Sequence, residues 1–434
     1  METMREHAYY DVLVVGAGVA GLNCAAHLPA HKRVLVVCKG GLRESDSFLA
    51  QGGICVLRDK ADYRGYFEDT MRAGHFENDP FTVRCMIENS RDTVEELISL
   101  GVRFARAEDG SLRYTREGAH SRPRILFHED CTGKEITSRL LAGVQKLPNV
   151  KILPHTTMLD LVCGAGEDRC YGAVLRDNRT GETYPVYAGD TVLATGGVGG
   201  LFRHSTNYRI LTGDGLAACL AHGVAIDHAD YVQIHPTTLY TKGRGRRFLV
   251  SESVRGEGAI LVNADGKRFV DELLPRDAVT EAILREMQRE GSDHVRLDLR
   301  TVEGGAETIR SHFPGILKRC REEGYDPLSE PIPVVPAQHY FMGGIRSDLF
   351  GRTTMPHLYA VGETCCNGVH GKNRLASNSL LESLIFAKRA AEEIARGNGR
   401  AEKIPVELKK YENYRKFAEA EKRKVLKEIN RETE

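Results

Sequence analysis

Residues 11–28, DVLVVGAGVAGLNCAAHL, constrain the fold of this chain more than any other stretch. A run of β-branched and leucine residues enters GAGVAG, and an alanine-rich helical segment follows at once. The pattern is that of a strand, a phosphate-binding turn and a helix. Gly16 permits the tight turn, Gly18 lets a pyrophosphate approach the backbone, and Gly21 allows the helix to lie close on the strand. The first helical residues, Val19 and Ala20, direct N–H groups and the helix dipole at the anion. A second strand, 33–37, closes a βαβ unit. Its end usually carries an acid for the adenosine ribose, whereas Cys38 and Lys39 stand there, a departure from the usual pattern.

The remaining chain supplies further turns of the same kind. Gly40–Val56 is a polar, glycine-rich loop in which Ser45, Ser47, Gln51, Gly52 and Gly53 suit a wrapped polar ligand better than a core. A strand within Gly189–Gly200 ends in Ala194-Thr195-Gly196-Gly197, and another, 357–361, ends in Gly362-Glu363. Repeated glycine-rich strand ends imply a dinucleotide held from several sides. Between them the spacing predicts an amphipathic scaffold helix over 79–101 and a charged, histidine-bearing loop from Tyr114 into a helix opening near Thr132. Strands follow at 150–153, 158–163 and 171–176.

From Asp227 the texture changes, with histidines and arginines in HPT, SESVRGEGA, LPRD and HYFMGG. The segment from His235 to His339 reads as an inserted domain, with a hairpin turn at Asn263–Gly266 and a helix over 278–289. A strong amphipathic helix spans 379–396, to be capped by Ser377 or Asn378. The charged tail, 402–434, predicts one or two helices packed on the body or on a partner subunit.

Composition removes several classes of function. Sixty basic residues balance sixty acidic ones, so nothing favours nucleic acid or an anionic membrane surface. No apolar run approaches a spanning helix, and METMREHAYY lacks a signal-peptide core, which predicts a soluble, cytoplasmic protein. The eleven cysteines are scattered without a CxxC pair, against a disulfide framework, a zinc site or an iron–sulfur cluster; no metal is expected. Adjacent Cys365 and Cys366 read as small buried side chains.

GAGVAG, AQGG, ATGG, HPT, SESVRGEGA, LPRD, HYFMGGI, GE and NRLASNSLLE occur in the order found in the succinate dehydrogenase and fumarate reductase flavoprotein family. The chain resembles that family over about residues 8–396, and most closely its members that oxidise L-aspartate. The resemblance implies an α/β fold: a Rossmann-type FAD-binding domain (1–232 and 341–397) interrupted by an α+β capping domain (233–340), with a short helical C-terminal segment (398–434). The aspartate-oxidising members continue into a longer helical bundle. Implied FAD contacts are the turn and loop positions named above, Cys38 and Lys39 among them, with Asp214, Asn378, Ser379 and Leu380. Respiratory members attach FAD through a histidine five residues before the glutamine of AQGG; Asp46 stands there, so the FAD should be non-covalent.

The resemblance also places a C4 dicarboxylate among His235, Ser251, Glu252, His339 and Arg374, where arginine suits bidentate carboxylate binding and a histidine donates better once charged. Arg276 matches the family's proton-delivering arginine. Because an arginine stays protonated, its role is expected in carboxylate placement and fumarate protonation more than in deprotonating an amine. Glu252 and Arg255 would support Arg276. The substrate's ammonium needs an anionic partner out of water. Glu117, in TREGAHSRPRI, is similar to the residue that makes this contact; its ordinary alternative is a surface pair with Arg116 or Arg122. These expectations together predict oxidation of L-aspartate to iminoaspartate, acceptance of the electrons by oxygen or fumarate, and hand-off to quinolinate synthase. The alternatives are a soluble fumarate reductase or succinate dehydrogenase flavoprotein, and a catalytically silent one.

Overall fold

The computed structural model describes residues 9–164, 169–242 and 245–431; residues 1–8, most of the stretch read for a signal peptide, lie outside them. β1 (Tyr9–Val15), α1 (Val19–His27) and β2 (Val34–Val37) form the βαβ unit. The two strands pair in parallel with Val12 opposite Val34. Their near-continuous apolar runs are buried on both faces, as a parallel sheet covered on each side requires.

A long crossover follows: α2 (Asp46–Leu49), β3 (Ile54–Cys55), α3 (Asp62–Ala73), α4 (Pro80–Glu88), α5 (Ser90–Ser99), β4 (Ile125–Leu126) and α6 (Thr132–Val144). It returns to β5 (Val150–Leu153), parallel to β2. An antiparallel meander of β6 (Thr156–Cys163), β7 (Cys170–Asp177) and β8 (Thr183–Leu193) then brings β8 back beside β1. The sheet order is β5-β2-β1-β8-β7-β6, and a seventh strand from late in the chain joins β8.

The inserted unit has its own sheet and core. After α7 (Asp214–Ala221) and β9 (Ile226–Asp227) come β10 (Val232–Leu239), α8 (Glu252–Gly256), β11 (Ile260–Val262), α9 (Arg276–Glu290), β12 (Val295–Asp298), α10 (Gly305–His312), α11 (Pro314–Glu322) and β13 (Ile332–Phe341). Four of these strands make an antiparallel sheet in the order β10-β13-β12-β11, over a core that includes Leu261, Val279, Ile283, Leu297 and Ile332. The chain returns through β14 (Gly344–Arg346), β15 (Leu358–Ala360), β16 (Cys365–Cys366), α12 (Asn378–Arg396) and α13 (Tyr414–Asn430). β14 pairs antiparallel with β9, so the chain enters and leaves the insertion through neighbouring strands. β15 completes the large sheet against β8.

α12 carries Leu381, Leu384, Ile385 and Ile394 into the core shared with α1, each such side chain contributing about 2 kcal/mol by burial. No described helix is long and apolar enough to cross a membrane. All eleven cysteines are free, and both Cys365 and Cys366 are buried.

Local expectations fail in three places. The helix predicted over 79–101 divides into α4 and α5 at Asn89, where Asn89 donates to the Cys85 carbonyl and Ser90 to that of Ile87, side-chain bonds that compete with the helical ladder. Asn263–Gly266 turns the chain, but β11 pairs with β12, and the far side of the turn makes a single bridge, Val262 to Arg268. Neither Ser377 nor Asn378 caps α12: Ser377 sits in the left-handed region at φ 63° with no capping bond, because its hydroxyl is committed to Glu117.

Candidate active site

A cavity of about 400 Å³ reaches from the turn after β1 to the inserted sheet. Gly16, Gly18, Val19, Ala20, Cys38, Lys39, Ser45, Ser47, Gln51, Gly52, Gly53, Ala194, Thr195, Gly196, Asp214, Glu363, Ser379 and Leu380 line it. Gly21, Gly197, Gly362 and Asn378 are not on its surface. Gly21 is required by packing, since a Cβ there would lie 1.9 Å from the Gly16 carbonyl oxygen. A Cβ on Gly197 would lie 2.5 Å from Glu363 Oε1, and one on Gly362 2.8 Å from Ala20 Cβ. Asn378 accepts from Tyr66 Oη at 2.8 Å and donates to Thr70 Oγ1 at 3.3 Å, tying α12 to α3.

The polar lining fits a dinucleotide. Ser45 Oγ, Asp46 Oδ2, Gln51 Oε1 and Ser379 Oγ are buried without a partner in the protein, although buried polar groups are normally hydrogen-bonded. They converge from the Gly40–Val56 loop and the first turn of α12, whose N-terminal dipole faces the same space. Asp46 Oδ1 accepts from the Tyr208 N–H at 2.9 Å, and burial pushes its carboxyl up to about 7. At the end of β2, where an acid was missing, Lys39 Nζ lies 2.8 Å from Asp214 Oδ2 and 2.8 Å from Thr212 Oγ1.

At the other end the cavity meets the insertion. β10 and β13 place His235 and His339 with ring centroids 5.1 Å apart. His235 Nδ1 accepts from the Thr237 N–H at 3.1 Å, which leaves Nε2 as a buried donor with no protein partner. Burial, and then the Arg276 guanidinium, hold both histidines well below their ordinary range. Both rest as neutral N–H donors, and a substrate carboxylate would favour their charged form. His339 Nδ1 lies 2.7 Å from Thr206 Oγ1.

Arg276, the first residue of α9, donates from Nε to Glu252 Oε2 at 2.5 Å and from Nη1 to Gln233 Oε1 at 2.8 Å. Arg255 approaches the same Glu252 oxygen at 3.6 Å. Burial opposes ionisation of Glu252, but Arg276 and Arg255 outweigh it and its acidity increases. Arg374 is different. It stacks 4.5 Å over the Tyr340 ring and has no ion-pair partner among the described residues; burial and the Arg276 charge lower it to about 10. An unpaired buried arginine is suited to an incoming carboxylate.

Glu117 is 2 % exposed and pairs with neither Arg116 nor Arg122. Its oxygens accept from Ser253 Oγ at 2.6 Å and Ser377 Oγ at 2.5 Å, while burial and the neighbouring Glu252 charge raise its pKa. The segment is anchored by Arg124, fully buried between Asp62 and Asp69 at 3.0 and 2.7 Å. Ser251 lines the cavity and caps α8 through the Ser253 N–H at 3.2 Å.

Gln233, Ser253, Thr206, Tyr340 and Arg246 also belong to the site or its wall and were not singled out in the sequence. For Gln233 a signal exists: strand alternation puts it on the same face as His235. Thr206 and Arg246 come from loops whose path only the fold defines. The turn before α6 brings donor atoms of His128, Glu129 and Cys131 within 4.8 Å of one another, a grouping that the expectation of no metal did not include.

Residues 11–380 match the family model described as FAD binding domain. The L-aspartate oxidase of Clostridium perfringens is 48% identical over 385 residues, covering 88% of this chain and 86% of that one. That of Clostridium acetobutylicum is 46% identical, covering 88% and 87%. An E. coli quinol fumarate reductase structure superposes with TM-score 0.83 at 30% identity over 97% of this chain and 74% of that one. With its cavity formed between a dinucleotide-binding sheet and an inserted domain, the chain belongs to the L-aspartate oxidase family of FAD-binding flavoproteins.

Proposed function

We propose that the chain oxidises L-aspartate to iminoaspartate with FAD. The observation that carries the reading is a buried anion, Glu117, lining the same cavity as an arginine with no ion-pair partner, Arg374. Succinate and fumarate need no such anion, whereas an α-ammonium taken out of water does. When bound in the cradle of Gly16, Gly18, Lys39, Ser45, Gln51 and Ser379, FAD supplies the hydride acceptor.

The protein's own residues then bind and orient. Arg374 and the His235, His339 and Ser251 donors hold the two carboxylates, and Glu117 holds the ammonium, which fixes the direction of Cα. The inserted unit acts as a cap that excludes water. Arg276, held by Glu252 and Gln233, places a carboxylate and protonates fumarate when fumarate is the acceptor; oxygen is the other acceptor. Iminoaspartate hydrolyses readily, so quinolinate synthase would take it promptly, in the cytoplasm.

The test is anaerobic. L-Aspartate should bleach the visible flavin band of the FAD-loaded protein and succinate should not. Bleaching by succinate alone would favour a soluble fumarate reductase, and bleaching by neither would overturn the oxidoreductase reading.

A further inference from the structure

The tail is more than a packed terminus, because it grips the helix that ends at the nucleotide side of the cavity. Val425 and Ile429 of α13 are buried in the same core as Leu216, Ala217 and Cys219 of α7. Val425 lies against the residue that opens α7, Gly213: a Cβ there would sit 3.0 Å from Val425 Cγ1. Gly213 has φ 69°, in the left-handed region that favours glycine, and its missing side chain lets Val425 pack directly on the turn. The other end of α7 is held as well. His222 Nε2 lies 2.8 Å from Asp160 Oδ1, and Asp160 Oδ2 accepts from Lys410 Nζ at 2.7 Å and Tyr411 Oη at 2.9 Å.

What α7 presents at its first turn is Asp214, bonded to Lys39 Nζ and accepting from Thr212 Oγ1 at 2.6 Å. All three line the cavity. We infer that α13 is a positioning strap for the adenosine half of the FAD site, setting Asp214 and through it the Lys39 ammonium. The inference rests on the assignment of Lys39 and Asp214 to cofactor binding. It concerns FAD retention and leaves the residues around the dicarboxylate untouched.

The test measures the FAD Kd of the apoprotein by flavin fluorescence for Asp214→Asn, Val425→Ala and the double variant. Val279→Ala, in the cap core and fully buried, serves as a control for lost stability. Asp214→Asn and Val425→Ala should each weaken FAD about tenfold, and the double variant should be no weaker than Asp214→Asn alone, since coupled residues are non-additive. Val279→Ala should lower Tm with Kd unchanged. If Asp214→Asn leaves Kd unchanged, the site assignment fails and the strap with it. If Asp214→Asn weakens FAD but Val425→Ala does not, or the losses add, or Val279→Ala weakens FAD as much, only the strap is refuted.

Discussion

Replacing Glu117 with glutamine removes one charge and keeps the shape. An amide oxygen still accepts from one serine, and the amide N–H can donate to the other, so Ser253 and Ser377 remain satisfied. What is lost is the attraction to the substrate ammonium. For unit charges about 4 Å apart at an effective dielectric of 20 this is about 4 kcal/mol. A neutral hydrogen bond to the amide oxygen returns about 1 kcal/mol. The remaining loss of about 3 kcal/mol corresponds to roughly a hundredfold in kcat/KM for L-aspartate. Succinate, which has no ammonium, should bind as well or better once an anion near its carboxylates is removed. Stopped-flow reduction of the bound flavin by L-aspartate under anaerobic conditions, with and without succinate as a competitor, gives both effects. Equal losses of aspartate reduction and succinate binding would mean that Glu117 only holds the segment in place; no loss for aspartate would mean that its ammonium is bound elsewhere. The raised Glu117 pKa adds a pH signature. Binding of the ammonium requires the carboxylate, so the acid limb of kcat/KM for aspartate should lie above the ordinary glutamate value and vanish in Glu117→Gln.

Three further outcomes follow from the buried charges. Arg276→Gln breaks the 2.5 Å contact with Glu252 and should lower turnover with fumarate as acceptor by about two to four orders of magnitude, with FAD absorbance retained on gel filtration. Arg124→Met leaves Asp62 buried without its cation and Asp69 with only Arg72, 3.5 Å away, and should cost about 3–5 kcal/mol, read as a lower urea midpoint with an unchanged m-value. Glu382 is 2 % exposed, and burial raises it from 4.5 to about 7. The folded state therefore binds its proton more tightly, so its contribution is fully present below pH 4.5 and is lost as pH rises through 7. Relative to wild type, Glu382→Gln should gain about 3 kcal/mol between those limits, measured as the pH dependence of Tm for both proteins.

The nucleotide half of the molecule was legible in residue order because it is built from local pieces. A strand, a glycine turn and a helix need only their own spacing, so the turns at Gly16, Gly18 and Thr195 could be read directly from the chain, whereas the pairing of Lys39 with Asp214 could not. The inserted unit was recognised by its motifs and its change of texture. Its strand pairing was not, because Asn263–Gly266 carries a hairpin signal while β11 chooses β12 for burial reasons that lie outside the turn.

The substrate end depends on residues far apart in sequence. Glu117 reads as an ordinary charged-loop glutamate until Ser253 and Ser377 close on it. Ser377 reads as a cap until that bond withdraws it. The two histidines read as carboxylate donors, but that they rest neutral follows only from their burial beside Arg276. Local backbone preference follows from neighbours in the chain, and that much the 434 residues settle unaided. Solvation and charge depend on which side chains arrive from distant segments, and only the cavity between the sheet and the insertion determines those.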